Sequence, residues 1–196
     1  MTLTLDGVSK VVGSETHIHP TDLTLEKATM NVLLGPTLAG KTSLMRLMAG
    51  LDKPTTGRVL WNGEDVTGVR VQDRGVAMVY QQFINYPSMT VYDNIASPMR
   101  LLGKSRDEID RAVREAAELM KLTPMLGRKP LELSGGQQQR CALARALVKD
   151  AGLVLLDEPL ANLDYKLREE LRVEIPRIFE QSGAIFVYAT TEPEEA

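Results

Sequence analysis

Cysteine, histidine and aromatic side chains are scarce in this chain. Cys141 is the single cysteine among 196 residues, so no internal disulfide can form, and a reducing compartment fits. Its role reads as packing on a helix. The two histidines, His17 and His19, lie two apart and would share one face of a strand; with Cys141 far along the chain, an ordinary strand edge is a simpler reading than a metal centre. No apolar stretch approaches the roughly 20 residues needed to cross a bilayer, and Met1 to Gly7 lacks the basic-then-apolar order of a signal peptide. The expectation is a cytoplasmic chain that meets a membrane only through a partner. Neither sign of charge gathers into a long run, and 23 basic against 26 acidic side chains leave a net charge of -3, which argues against nucleic acid as a partner.

What is present suits a globular unit with a sizeable core: 43% of positions are hydrophobic and 25% charged. The N-terminal region reads as an antiparallel layer, with apolar Leu3, Leu5 and Val8, and with Val59-Leu60-Trp61 running into Asn62-Gly63, a dipeptide suited to a tight hairpin. Met30 to Leu34 reads as a buried strand entering a glycine-bearing loop, after which Leu44, Met45, Leu47 and Met48 recur at helical spacing over Lys41 to Ala49. Leu153 to Leu156 and Ala184 to Tyr188 are further continuous apolar strands. Unlike alternating ones, such strands imply a parallel sheet covered by helices on both faces. Between them lies a helical stretch, with Arg106 to Lys121 rich in Glu, Arg, Ala and Leu and bounded by Gly103 and Pro124. The expected organisation is an α/β core over about 1–88 and 151–196, with a helical subdomain inserted over about 89–150. Met45, Met48, Met120 and Met125 read as core filling.

Gly35-Pro36-Thr37-Leu38-Ala39-Gly40-Lys41-Thr42 matches a glycine, four residues and Gly-Lys-Thr, set between a strand and a helix as that phosphate-binding pattern requires. Backbone N–H groups of the loop can wrap phosphates, helped by the positive end of the helix. Lys41 would reach the β- and γ-phosphates of ATP, and the Thr42 hydroxyl would ligate magnesium. Asp157 and Glu158 stand where the second buried strand stops. Alone the pair would read as a solvated strand edge; beside a phosphate loop, Asp157 becomes a magnesium ligand through water and Glu158 a general base.

Leu133-Ser134-Gly135-Gly136-Gln137 introduces a helix, with Ser134 as N-cap and Gln137 as its reciprocal partner. An isolated stretch of this kind would be an ordinary capped helix. In the order phosphate loop, this segment, Asp157-Glu158, the chain resembles the ABC ATPase family, whose signature is Leu-Ser-Gly-Gly-Gln, and the resemblance covers nearly all of it. It implies a P-loop NTPase core, ATP and Mg2+ as cofactors, and two ATPase subunits face to face. Each subunit would present Ser134, Gly135, Gly136 and Gln137 to the nucleotide on the other's loop, where Gly35 to Thr42 and Ser43 bind. By the same resemblance Gln81 is the glutamine that contacts metal and attacking water, and Ala161-Asn162-Leu163-Asp164 is the D-loop, Asp164 near nucleotide. Tyr86 to Ile95 is similar to the segment of sugar and polyol importers that helps form the groove for a membrane subunit. Within that group the chain is most similar to the ATP-binding subunits of bacterial glycerol importers.

Three positions depart from the family pattern. Val12 stands where a ring usually stacks on adenine, a contact worth roughly 1 to 3 kcal/mol by analogy with base stacking. Thr191 stands where a histidine usually contacts the γ-phosphate; it offers one donor and no charge, and losing a preorganised donor there can cost roughly 2.7 to 4 kcal/mol. Leu38 replaces a frequent glycine, so its side chain must point away from the nucleotide. These departures favour a heterodimer in which Ser134 to Gln137 complete a site on a better-equipped ATPase subunit, with a homodimer as the alternative. Related importer subunits continue with the rest of the ATPase domain and usually a β-rich regulatory domain, so the resemblance implies a truncated chain in which these are absent. Three functions stand open: an importer ATPase peripheral on the inner face of the membrane through permease subunits, a soluble ABC ATPase outside transport, and a nucleotide-binding scaffold that does not hydrolyse. The absence of sustained heptads between phosphate loop and signature counts against chromosome-type soluble members.

Overall fold

The computed structural model describes residues 1–161 and 163–195, with side chains throughout except at 178–181. Asn162 of the D-loop segment and Ala196 lie outside the described residues. In chain order, β1 (Thr2–Val12) and β2 (Glu15–Glu26) form a hairpin, followed by β3 (Met30–Leu34), α1 (Lys41–Ala49), β4 (Thr56–Trp61), β5 (Glu64–Asp65) and β6 (Val76–Val79). Then come α2 (Val91–Leu101), α3 (Arg106–Leu119), α4 (Gly135–Leu147), β7 (Leu153–Asp157), α5 (Tyr165–Ser182) and β8 (Ile185–Thr190). The chain divides into two compact units: Met1–Met78, Ala151–Glu158 and Glu170–Ala196 in the first, Val79–Asp150 and Pro159–Glu169 in the second.

The first unit holds the expected α/β arrangement. One sheet has the order β2-β1-β4-β5, with β1 antiparallel to both β2 and β4. The other has the order β3-β8-β7-β6, with β3 and β7 each parallel to β8. Leu3, Leu5 and Val8 enter one core with Met45, Leu47 and Met48 of α1 and with Leu153, Leu155, Ile185 and Val187 of the parallel sheet. Asn62 (φ 51°) and Gly63 (φ 84°) are both left-handed, as a two-residue type I′ turn between β4 and β5 demands. Every residue of β7 and β8 is buried, as continuous apolar strands predict. β3 corrects that expectation: Met30 and Leu34 are 37% and 51% exposed. Among the described residues β3 pairs with β8 alone, so no second strand shields its outer edge.

In the second unit α3 starts with a capping box between Ser105 and Glu108 and buries Ile109, Val113, Ala116 and Ala117, the one-sided stripe of an amphipathic helix. Met120 is fully buried beyond its end, like Met45 and Met48 in the first unit, whereas Met125 is only half-buried. Cys141 is buried on α4, and that burial pushes its thiol up to about 11, away from thiolate chemistry.

Candidate functional site

β3 delivers the chain into the loop Gly35 to Gly40, and α1 begins at Lys41. Gly40 has φ 89°, and a Cβ there would lie 2.9 Å from Ile18 Cδ1 and 3.0 Å from the His17 carbonyl oxygen, so glycine is required both for conformation and for space against β2. As the N-cap of α1 it supplies no side-chain acceptor. The opening N–H groups of α1 therefore keep their capacity for an external anion. Pro36, Thr37, Leu38, Ala39 and Thr42 are exposed around them, which fits a bound phosphate chain. Leu38 is 99% exposed and has φ 68°, explaining both why glycine suits this position and how leucine is accommodated, pointing into solvent.

Lys41 is held from three sides. Its ammonium donates to the Gly35 carbonyl at 2.7 Å and the Pro36 carbonyl at 3.0 Å, and it stands 3.7 Å from Glu158 Oε1. The Thr42 hydroxyl donates to Asp157 Oδ2 at 2.6 Å, joining the start of α1 to the end of β7 across 115 residues of sequence. Asp157 is 3% exposed. A buried carboxylate with a hydroxyl beside it is a hard-oxygen donor pair, the chemistry that suits magnesium held by few protein ligands and by phosphate oxygens. Glu158 has φ 46°, and its N–H donates to the Ala189 carbonyl at 2.9 Å, so the strand-to-loop turn at the end of β7 is fastened to β8. Left-handed backbone at a non-glycine residue marks a conformation imposed by its surroundings. The pattern of types and spacings named these residues but not the left-handed conformations of Leu38 and Glu158, which no local sequence signal announces.

Thr191 is exposed immediately after β8, and Val12, 50% exposed, ends β1. Ser43 is half-buried on the first turn of α1. His17 and His19 are both exposed on β2 and flank buried Ile18, as one-face alternation predicts.

The remaining expected site residues belong to the second unit. Ser134 and Gln137 make the expected reciprocal cap of α4: Gln137 N–H donates to Ser134 Oγ at 3.3 Å, and Ser134 N–H donates to Gln137 Oε1 at 3.0 Å. Gly135 and Gly136 form the first turn of that helix, Gly135 exposed. Asp164 accepts from the Leu167 N–H at 3.0 Å, capping the start of α5. Gln81 lies exposed two residues past β6. Asn94 lies within Tyr86 to Ile95, where the sequence assigns it no role of its own. It is fully buried; Oδ1 accepts from the Tyr86 N–H at 2.8 Å, and Nδ2 faces the carbonyls of Tyr86, Met89 and Thr90 at 3.0, 3.2 and 2.9 Å. A polar residue on the inner face of α2, between buried Val91 and Ile95, was the available signal.

Residues 18–161 match the family described as ABC transporter. The trehalose/maltose import ATP-binding protein of Thermococcus litoralis is 45% identical over 195 residues, covering 96% of this chain and 52% of that protein. The sn-glycerol-3-phosphate import ATP-binding protein of Pectobacterium atrosepticum is 40% identical over 195 residues, covering 99% and 55%. The chain thus spans about half the length of the curated relatives it matches. Among solved structures, a bacterial ABC transporter cassette in a dimeric structure aligns with TM-score 0.90 at 27% identity, covering 99% of this chain and 90% of that one. A dimeric post-hydrolysis state of that cassette bound to ADP and Pi gives 0.89 at 28%, with the same coverage.

Proposed function

This chain belongs to the ABC transporter family, and on that premise we propose that it binds and hydrolyses ATP to power import of a small polar nutrient such as a sugar or a glycerol derivative. The observation that carries the reading is the convergence of Lys41, Thr42, Asp157 and Glu158 at one phosphate loop. Lys41 and the first amides of α1 would hold the β- and γ-phosphates, and Thr42 with Asp157 would hold Mg2+. Bound magnesium supplies neutralisation of charge on the transferring phosphoryl group. Glu158 takes the proton of the attacking water, and its turn is held for that task by the bond from its N–H to Ala189. Gln81 would orient that water, and Thr191 would donate its single hydrogen bond toward the γ-phosphate.

The relatives named for import support the transport setting, and the dimeric cassette supports a pair of subunits. In that pair Ser134, Gly135, Gly136 and Gln137, with Asp164, would complete the partner's nucleotide site. No helix among the described residues is long and apolar enough to cross a membrane. Attachment to the inner face of the membrane would run through permease subunits. A second reading, a dimer with a different ATPase subunit, is favoured by Val12 and Thr191 standing on the nucleotide-holding side while the signature residues are intact.

Titration of the full-length chain with Mg-ATP tests the reading: Lys41→Ala should weaken binding at least tenfold, and equal affinity in the two proteins would sink it. Glu158→Gln should keep binding and lower turnover by roughly 10²- to 10⁴-fold, the span of general acid–base catalysis; an unchanged rate would leave a scaffold that does not hydrolyse. Purification of the full-length chain with its membrane partners should bring down two permease subunits, and a second ATPase in that complex would decide for the heterodimer.

A further inference from the structure

The last residues of β8 hold more than a strand end. The Ala189 carbonyl accepts from the Glu158 N–H at 2.9 Å, and the Thr190 carbonyl accepts from the Gly35 N–H at 3.3 Å, so the general-base turn and the entry to the phosphate loop hang on neighbouring residues. Thr191 leaves the strand directly after them. The chain then turns through Pro193–Glu195 and comes back. Glu195 Oε2 accepts from the Tyr188 hydroxyl at 2.9 Å and from the Thr190 hydroxyl at 2.6 Å. The Thr190 hydroxyl oxygen in turn accepts from the Glu192 N–H at 3.0 Å.

Tyr188 and Thr190 are two apart on β8 and present their side chains to the same face, and both are buried. Buried hydroxyls need acceptors, and one carboxylate oxygen serves both. Thr191 thereby sits in a turn whose following residues are tied back to the strand before it: the Glu192 N–H to the Thr190 hydroxyl, and the Glu195 carboxylate to Thr190 and Tyr188 at the close of the turn. A side chain with a single donor and no charge contributes to transition-state stabilisation only if it is already in place, since each reorganisation is subtracted from its effect. The tie supplies that fixation.

We propose that Glu195 is a positioning residue for hydrolysis, closing the loop that carries Thr191 onto the strand that also holds Glu158 and Gly35. The proposal rests on the ATPase reading above. The test measures kcat and KM for ATP, with the melting temperature, in the full-length chain assembled with its permease subunits. Glu195→Ala should lower kcat by about tenfold with KM within about twofold of the parent, the signature of a contact that matters in the transition state and not in the ground state. Glu195→Gln keeps an acceptor for both hydroxyls and should restore most of the rate. Tyr188→Phe removes one of the two donors and should lower kcat by about threefold. An unchanged kcat in Glu195→Ala, or a Glu195→Gln as slow as Glu195→Ala, overturns the proposal. Should Glu195→Ala fail to fold, Tyr188→Phe decides: parental kcat overturns it, and a lowered kcat at parental KM and melting temperature supports it. Glu158→Gln in the same assay separates the two levels, because a parental rate there sinks the ATPase reading itself whatever Glu195 does.

Discussion

The two glycine-bearing helix starts, at α1 and at α4, are finished in opposite ways. α1 is opened by a left-handed Gly40 that supplies no side-chain acceptor, and its neighbours Lys41 and Thr42 reach Glu158 and Asp157, far away in sequence. α4 is opened by Ser134 in extended conformation, and its capping box closes on itself within four residues. A helix start left without a cap keeps its amides for an anion; one already capped must share its donors when an anion arrives. The start of α1 thus has the form a primary anion site requires, and the start of α4 is a self-sufficient element to which, on the proposed reading, contact would be added.

Substitutions on the two sides should break or sharpen that contrast. The largest effect is expected at Gly40→Ala, which places a methyl against Ile18 and the His17 carbonyl and forces a φ of 89° on a residue with a Cβ. Chemical denaturation should register a loss of about 1 to 3 kcal/mol, with weaker Mg-ATP binding alongside. Ser134→Ala comes next, at about 1 kcal/mol for a lost N-cap, with the Mg-ATP affinity of the isolated, unpaired subunit unchanged. If the order of these two losses is reversed, or Ser134→Ala disturbs that affinity, the contrast fails. A smaller shift, of opposite sign, belongs to Leu38→Gly: relief of left-handed strain, offset by chain entropy, should stabilise the fold by roughly 0.5 kcal/mol. The side chain is exposed, so no packing is lost. The least perturbing probe is Cys141. With its thiol pushed up to about 11 by burial, maleimide at pH 8 should leave it unlabelled in the native chain and label it on unfolding; native labelling would show that α4 opens readily.

What was legible in the sequence follows the same divide. The Ser134–Gln137 cap, the Asn62-Gly63 turn and the buried β7 and β8 are written in patterns a few residues long, and the α/β fold with its two sheets could be read from them. The meeting of Thr42 with Asp157 is written nowhere locally; it was reached through the order of motifs and the chemistry a magnesium nucleotide requires. Strand burial at β3 was misjudged because a strand's own residues do not disclose whether it sits in the middle of a sheet or at its end. Glu195 escaped notice for a related reason. A carboxylate in an acidic, exposed-looking stretch gives no sign that two hydroxyls on the preceding strand point at it.

Asn94 carries one further consequence. By gripping Tyr86, Met89 and Thr90 from inside α2, while the Arg145 guanidinium stands 5.0 Å over the Tyr86 ring, it holds the stretch from Tyr86 to Thr90 in a single shape. A protein surface that docked there would meet a contour already ordered, so little ordering entropy would be left to subtract from the association.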